Sequence, residues 1–116
     1  MRMWMVNPKV MCDHHLLGEH VDLHMIVASI QKEFLGSVRA LARIGLIDTV
    51  QVTSRHREIV AEMAARGMNH HTPINWMDVD GVGHGTVDPV QSAWELYRRC
   101  GACRKLIDQH SKEASA

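Results

Sequence analysis

The chain has 116 residues, 46% of them hydrophobic and 4% aromatic, so it is long enough for one domain and too apolar to be disordered. A core of Leu, Ile, Val, Met and Ala favours helices over a β-sandwich. Thirteen basic residues balance thirteen acidic ones, so the net charge neither indicates nor excludes a nucleic-acid partner.

The sequence carries no signal for membrane insertion or export. No apolar stretch approaches the length of a transmembrane helix, and Pro8 interrupts the start of the chain too early for a signal peptide. The three cysteines are an odd number, which favours reduced thiols over disulfides. We therefore expect a cytoplasmic, monomeric protein without membrane contact, with a single domain over residues 1–116.

The first predicted elements are an arm and a long helix. The first ten residues form an extended arm that ends at Asn7-Pro8, and Asp13 is a favourable N-cap for the helix after it. Gly36 is its predicted end. The inward side of this helix follows helical spacing and comprises Leu16, His20, Leu23, Val27, Ile30 and Phe34.

Two further helices are predicted in the middle of the chain. Ser37 to Ile44 forms a short helix, which Gly45 closes at the C′ position. After a connector over residues 50–52, Ser54 caps a third helix that stops at Gly67. Its predicted inward residues are Ile59, Val60, Met63 and Ala64.

The C-terminal part is predicted to be a loop and one helix. Residues 69–87 form the loop, and Asp88-Pro89 is an N-cap followed by proline at N1. The tail 111–116 is expected to fray. The inner face of the last helix comprises Val90, Trp94, Tyr97 and Leu106. The predicted fold is an all-α, single compact domain of three main helices and a short one, with the arm packed on the first helix.

Two segments resemble signatures of the pyrimidine-dimer DNA glycosylases, the phage endonuclease V family. Asp13 to Leu23 (DHHLLGEHVDL) is similar to the signature of the family's first helix. Arg55 to Asn69 (RHREIVAEMAARGMN) is similar to a later helix that ends in Arg-Gly-aromatic-Asn. Arg2 also fits the family's chain start. The two segments occur in the family's order and, with the start, span residues 2–69, more than half of the chain.

The resemblance implies chemistry by an N-terminal α-amine. In the family this amine attacks the sugar C1′ of a damaged nucleotide, and the resulting imine permits β-elimination of the 3′ phosphate. The chemistry is physically reasonable because α-amines have pKa values of about 7.7–8.0, which leaves a neutral, nucleophilic fraction at pH 7. A nearby carboxylate stabilises positive charge at C1′, as in glycoside hydrolysis.

The resemblance also implies roles for individual residues. The reactive amine falls on Met1, which is expected to remain because Arg2 is too large for initiator-methionine removal. The family's catalytic glutamate falls on Asp22, and Glu19 is the reserve carboxylate. The expected DNA contacts are Arg2, His14, His15, Arg99 and Arg104.

Some positions depart from the family pattern. Asp22 is one methylene shorter than the family's glutamate. Two arginines that hold DNA in the family fall on Val21 and Met25, and no aromatic residue follows Tyr97 where the family has an aromatic tail. These departures affect how far the Asp22 carboxylate reaches and how a pyrimidine dimer is recognised, and they do not affect the amine chemistry.

Histidines and cysteines raise the question of a metal. His20 and His24 are one helical turn apart, but a zinc site needs three or four ligands. A C-x-x-C motif occurs at Cys100-Gly101-Ala102-Cys103. A zinc site built on it would need Cys12 or His110 as a further ligand. Inert thiols are the other interpretation, because the pair lies late in a helix and lacks N-terminal activation. We expect no metal and no organic cofactor.

Two remaining features have ordinary structural explanations. The glycines at 81, 83 and 85 lack the preceding strand and following helix of a dinucleotide site, so loop flexibility accounts for them. Trp4 and Trp76 could stack on bases or belong to the core.

We therefore expect a DNA-repair glycosylase with abasic-site lyase activity, of prokaryotic or phage origin. Its partner would be double-stranded DNA with a damaged or modified pyrimidine. The alternative is a non-catalytic nucleic-acid-binding or zinc-stabilised interaction module on the same fold.

Overall fold

A computed structural model describes residues 1–69, 72–74 and 85–115. Regular structure in these ranges consists of α-helices and two short 3₁₀ turns, without a strand, which confirms the all-α prediction. The helices are α1 (Asp13–Gln31), α2 (Leu35–Arg43), α3 (Val52–Ala65), α4 (Pro89–Arg99) and α5 (Gly101–Ser115). None of these helices is long and apolar enough to cross a membrane.

The N-terminal arm forms no helix before Pro8 and packs on α1, as predicted, and it also contributes to the core. Met3 and Trp4 are buried, and the Met3 N–H donates to the Leu46 carbonyl at 2.7 Å. The arm ends in a 3₁₀ turn (Pro8–Val10), in which the Asn7 side chain accepts from the Lys9 N–H. The arm therefore lies between α1 and the segment after α2.

Helix α1 differs from the prediction at both ends. Cys12 rather than Asp13 is the N-cap, and Asp13 lies in the first turn, where its charge suits the helix dipole. The helix ends at Gln31 rather than Gly36, because Glu33 adopts a positive φ of 63°. The buried residues are Leu16, Glu19, Leu23, Ile26, Val27 and Ile30, whereas the predicted Phe34 is exposed.

The end of α2 confirms the prediction, since Gly45 has a φ of 80° and such a left-handed residue closes a helix. A second 3₁₀ turn (Thr49–Gln51) leads into α3.

The start of α3 was predicted wrongly. Gln51 is the N-cap, and Ser54 lies inside the first turn with its hydroxyl donating to the Gln51 carbonyl. Gly67 ends the helix as expected, with a φ of 77°. Ile59 and Met63 are buried, Val60 is half-buried, and Ala64 is exposed.

The last predicted helix is two helices. Asp88 caps α4 by accepting from the Val90 and Gln91 N–H groups, as predicted, but Cys100 is extended (φ −128°, ψ 110°) and breaks the helix. The side of α4 that faces the core also differs from the prediction. Residues Ser92, Leu96 and Cys103 are buried, Tyr97 and Leu106 are half-buried, and Val90 and Trp94 are exposed.

The core lies where α1 packs on α3, with α5 against both α4 and the first 3₁₀ turn. Helix α5 runs to Ser115, beyond residue 111, where the frayed tail was predicted to begin. Most of the predicted loop 69–87 lies outside the described residues, including Trp76 and the glycines at 81 and 83.

Candidate active site at the N-terminal arm

Asp22 on α1 holds the arm beside the start of the chain. The backbone N–H of Arg2 donates to Asp22 Oδ2 at 3.1 Å. Three covalent bonds separate this nitrogen from the Met1 amine, so the amine lies within about 7 Å of Oδ2. The Ser29 hydroxyl approaches Met1 Sδ at 3.9 Å. Both contacts lay the first two residues along α1.

Glu19 is buried and holds the arm more tightly. The residue is 1% exposed, and Oε1 accepts the Trp4 N–H at 3.0 Å. Arg55 of α3 donates to both carboxylate oxygens through Nε and Nη2. The same guanidinium donates from Nη1 to the Val6 carbonyl at 2.6 Å. Glu19 and Arg55 therefore form a buried ion pair that fixes the arm to α1 and α3.

The Arg2 side chain joins the arm to α4. Its guanidinium carbon lies 3.6 Å from the centroid of the Trp4 ring, and Nη1 donates to Glu95 Oε2 at 2.8 Å. This hydrogen bond lowers the pKa of the Glu95 carboxyl. A cleft of about 140 Å³ adjoins the pair, lined by Arg2, Ile44, Gly45, Leu46, Thr86, Asp88, Gln91, Ser92 and Glu95.

The two histidines at the start of α1 have different surroundings. His14 is exposed. His15 is half-buried against the Trp4 ring, and its Nδ1 lies 3.2 Å from Cys12 Sγ. Burial, and then the nearby charge of His14, lower the pKa of His15. His15 therefore faces thiols, whereas His14 faces solvent.

The two C-terminal arginines lie near the corner between α4 and α5. The Arg99 side chain is 65% exposed and lies 3.7 Å from Glu95, the residue that also pairs with Arg2. Arg104 donates to the carbonyls of Tyr97 and Arg98, which are groups that the end of a helix leaves without partners. Glu95 thus brings Arg99 and Arg2 together, while Arg104 caps α4.

An apolar stripe flanks Asp22 on the outer side of α1. Val21 and Met25 are 54% and 48% exposed, and Leu17 one turn earlier is 41% exposed. The two positions that carry arginines in the resembled family are therefore exposed and uncharged.

Two groups of potential metal ligands occur in the described part of the chain. The thiol cluster comprises Cys12, His15, Cys100 and Cys103, and the histidine cluster comprises His20, His24 and His56. In each, the ligand atoms lie within 4.8 Å of one another.

The family profile for pyrimidine dimer DNA glycosylases matches residues 1–75. The chain belongs to the pyrimidine dimer DNA glycosylase family. The match spans the arm, α1, α2 and α3, including Glu19, Asp22 and Arg55. No curated protein and no solved structure matches the chain.

The family match separates the predicted site residues into two groups. Met1, Arg2, His14, His15, Glu19 and Asp22 lie within it, whereas Arg99 and Arg104 lie beyond it. The sequence prediction missed Glu95, the partner of Arg2, because nothing in the local sequence of α4 distinguishes this glutamate.

The sequence prediction also missed Arg55 and His15 as partners of distant groups. Arg55 belongs to the second family-like segment, which was the available signal for its role. The spacing Cys12-x-x-His15 repeats that of Cys100-x-x-Cys103, and this repetition was the signal for the thiol cluster. For the histidine cluster, His20 and His24 gave the signal for two members but none for His56.

Proposed function

We propose that this protein is a DNA glycosylase with abasic-site lyase activity, in which the Met1 α-amine is the nucleophile and Asp22 assists it. Family membership supports the glycosylase class. The observation that carries the mechanism is the contact between the Arg2 N–H and the Asp22 carboxylate. This contact supports a short distance between an amine at the chain start and the Asp22 carboxylate. The reaction requires these two groups.

The proposed reaction has two stages. The neutral amine attacks C1′ of the damaged nucleotide, the glycosidic bond breaks, and the base leaves with the bonding electrons and acquires a proton. The amine nitrogen gives up one proton to the departing base and one to O4′ as the C1′–O4′ bond breaks, so the sugar opens and an imine forms at C1′. Removal of a C2′ proton then expels the 3′ phosphate by β-elimination and cuts the strand.

The surroundings of the two carboxylates favour Asp22 for the catalytic role. Both oxygens of Glu19 accept hydrogen bonds from Arg55, and one also accepts from Trp4. A carboxylate that is already neutralised by a guanidinium gives little stabilisation to a new cation at C1′. Asp22 is half-buried and lies against the arm, so its shorter side chain is compatible with the role. We assign Glu19 to positioning the arm.

Exposure separates the proposed DNA contacts. His14 and Arg99 are exposed, so they can approach phosphates without rearrangement. Arg2 would exchange Glu95 for a phosphate, whereas Arg104 and His15 are held by α4 carbonyls and by thiols.

The partner is a duplex with a damaged or modified pyrimidine, whose target nucleotide or partner base is flipped out of the stack. The proposed site uses residues of one chain, which is compatible with a monomer.

Borohydride trapping tests this function against a non-catalytic binding module. The full chain is incubated with duplexes that contain one cyclobutane pyrimidine dimer, one abasic site or no lesion, with and without sodium borohydride. We expect strand cleavage without borohydride and a covalent protein–DNA species with it, for the lesion duplexes only. Binding to all three duplexes with no covalent species would contradict the proposal and support the binding module.

A further inference from the structure

The thiol cluster lies where the start of α1 meets the break between α4 and α5. Cys12 is the N-cap of α1 and His15 lies in its first turn, while Cys100 occupies the break and Cys103 the first turn of α5. Two pairs with x-x spacing thus converge from segments 88 residues apart. We infer that Cys12, His15, Cys100 and Cys103 form a structural zinc site.

The distances between the ligand atoms agree with a tetrahedral zinc ion. Zinc bonds of about 2.3 Å to sulfur and 2.0–2.1 Å to nitrogen separate tetrahedral ligands by about 3.8 Å for S···S and 3.6 Å for S···N. Cys12 Sγ lies 3.8 Å from Cys100 Sγ. His15 Nδ1 lies 3.2 Å from Cys12 Sγ and 3.6 Å from Cys103 Sγ. The side chains are therefore spaced to surround one ion.

The sulfur contacts favour a metal site over a disulfide. A disulfide needs an S–S distance of about 2.05 Å, and all three cysteines are free. Backbone N–H groups point at two of the sulfurs, from Cys12 to Cys103 Sγ at 3.3 Å and from Cys103 to Cys100 Sγ at 3.4 Å. A neutral thiol is a weak acceptor, whereas donors of this kind suit metal-bound thiolates.

The ligand set indicates both the metal and its role. Three soft thiolates and one imidazole in tetrahedral arrangement are typical of zinc. Four protein ligands leave no position for water or substrate, so the site is structural. In this assignment His15 is a metal ligand rather than a DNA contact, and its ring supports Trp4, on which Arg2 stacks. The zinc would join the family-matched part of the chain to α4 and α5.

Metal analysis of the purified, untagged full chain tests the site. We expect about one zinc per chain for the wild type, and a loss of most of it in Cys12→Ala and His15→Ala. His15→Cys should retain zinc because it restores a fourth ligand. His110→Ala is the matched control, since this histidine lies on α5 outside the cluster, and should keep the wild-type content. His24→Ala, in the histidine cluster, should likewise keep the wild-type zinc content.

Two outcomes would overturn the inference. One is a wild-type chain that neither contains zinc nor takes it up from a chromophoric chelator. The other is a chain that keeps its zinc in the cysteine variants and loses it in His24→Ala.

Cobalt substitution gives a second measurement that does not depend on the folding of variants. Wild-type protein loaded with Co²⁺ should show the intense visible bands of tetrahedral cobalt and thiolate-to-cobalt charge transfer in the near ultraviolet. Weak octahedral bands without charge transfer would contradict a site with three cysteines and one histidine.

Discussion

Glu19 and Asp22 are carboxylates one helical turn apart whose surroundings differ. Glu19 is buried and shares both oxygens with Arg55, whereas Asp22 is half-buried and accepts a backbone N–H of the arm. Burial with a paired cation makes a carboxylate costly to alter. A carboxylate at the edge of the arm keeps charge available for a reacting sugar. This difference separates a positioning role from a catalytic one.

We predict that Asp22→Asn lowers base release by about 100-fold or more while DNA affinity changes little. Asparagine keeps the size of the side chain and removes the charge that would stabilise a cation at C1′. Single-turnover base release and equilibrium binding on the same duplex measure the two effects. Asp108→Asn on α5 is the matched control. Equal losses of binding and release would assign Asp22 to DNA contact or to structure instead.

We predict that Glu19→Gln destabilises the fold by about 3–5 kcal/mol, because it leaves the Arg55 guanidinium buried without its carboxylate. The control is Glu58→Gln, which removes an i,i+3 partner of the same Arg55 whose side chain is 53% exposed. It should cost less than about 1 kcal/mol. Urea unfolding of both variants gives the comparison. Similar values for the two would show that the buried pair does not fix the arm.

At the scale of elements, the sequence predicted a helix end correctly where a single residue determines that end. Gly45 and Gly67 have positive φ, and Asp88-Pro89 caps α4 through its own side chain, so the residue types alone were sufficient. The end of α1 was mispredicted because a non-glycine residue, Glu33, adopts positive φ there. Local propensity gives no signal for such a residue.

Features that depend on distant partners could not be predicted in the same way. From sequence alone an arginine is expected to be exposed, because its burial requires a partner. The partner of Arg55 lies 36 residues away. The break at Cys100 and the side of α4 that faces the core likewise depend on tertiary packing, and Trp94 of the predicted inner face is exposed. The position of the arm against Asp22 was inferred through the family resemblance rather than from residue periodicity.

Alanine substitutions at two glycines are predicted to change the stability of the fold in opposite directions. A Cβ on Gly85 would lie 1.9 Å from the Ile47 carbonyl oxygen and 2.7 Å from that of Ala42, so Gly85→Ala should destabilise by about 1–3 kcal/mol or more. A Cβ on Gly36 in α2 would meet nothing within 4 Å. Gly36→Ala should therefore stabilise by about 0.5–1 kcal/mol, as expected for glycine inside a helix. Thermal unfolding with the same sign for both would contradict this packing.

For the whole molecule, the distribution of charge limits how DNA is held. The chain has thirteen basic and thirteen acidic residues, and the exposed side of α1 beside Asp22 carries Val21 and Met25 instead of arginines. We predict that the double variant Val21→Arg with Met25→Arg binds duplex DNA more tightly at low salt. Its slope of log affinity against log salt should be steeper than the wild type by about 0.9 for each new phosphate contact.

Fluorescence anisotropy over a salt series measures this slope. Leu17→Arg is a useful comparison, since Leu17 lies on the same stripe one turn before Val21 but at no family arginine position. An unchanged slope in the double variant would show that α1 does not face the phosphates.

The central claim is that the Met1 amine forms the imine, and peptide mapping after borohydride trapping tests it most directly. The intact mass first establishes that Met1 is the first residue of the purified protein. The trapped complex with abasic-site DNA is then digested, and the modified peptide is identified by mass spectrometry. The chain has four lysines as competing amines, Lys9, Lys32, Lys105 and Lys112. We predict a single adduct on the amine of Met1, and its loss when that amine is acetylated. An adduct on a lysine, or full lyase activity from the acetylated protein, would contradict the mechanism.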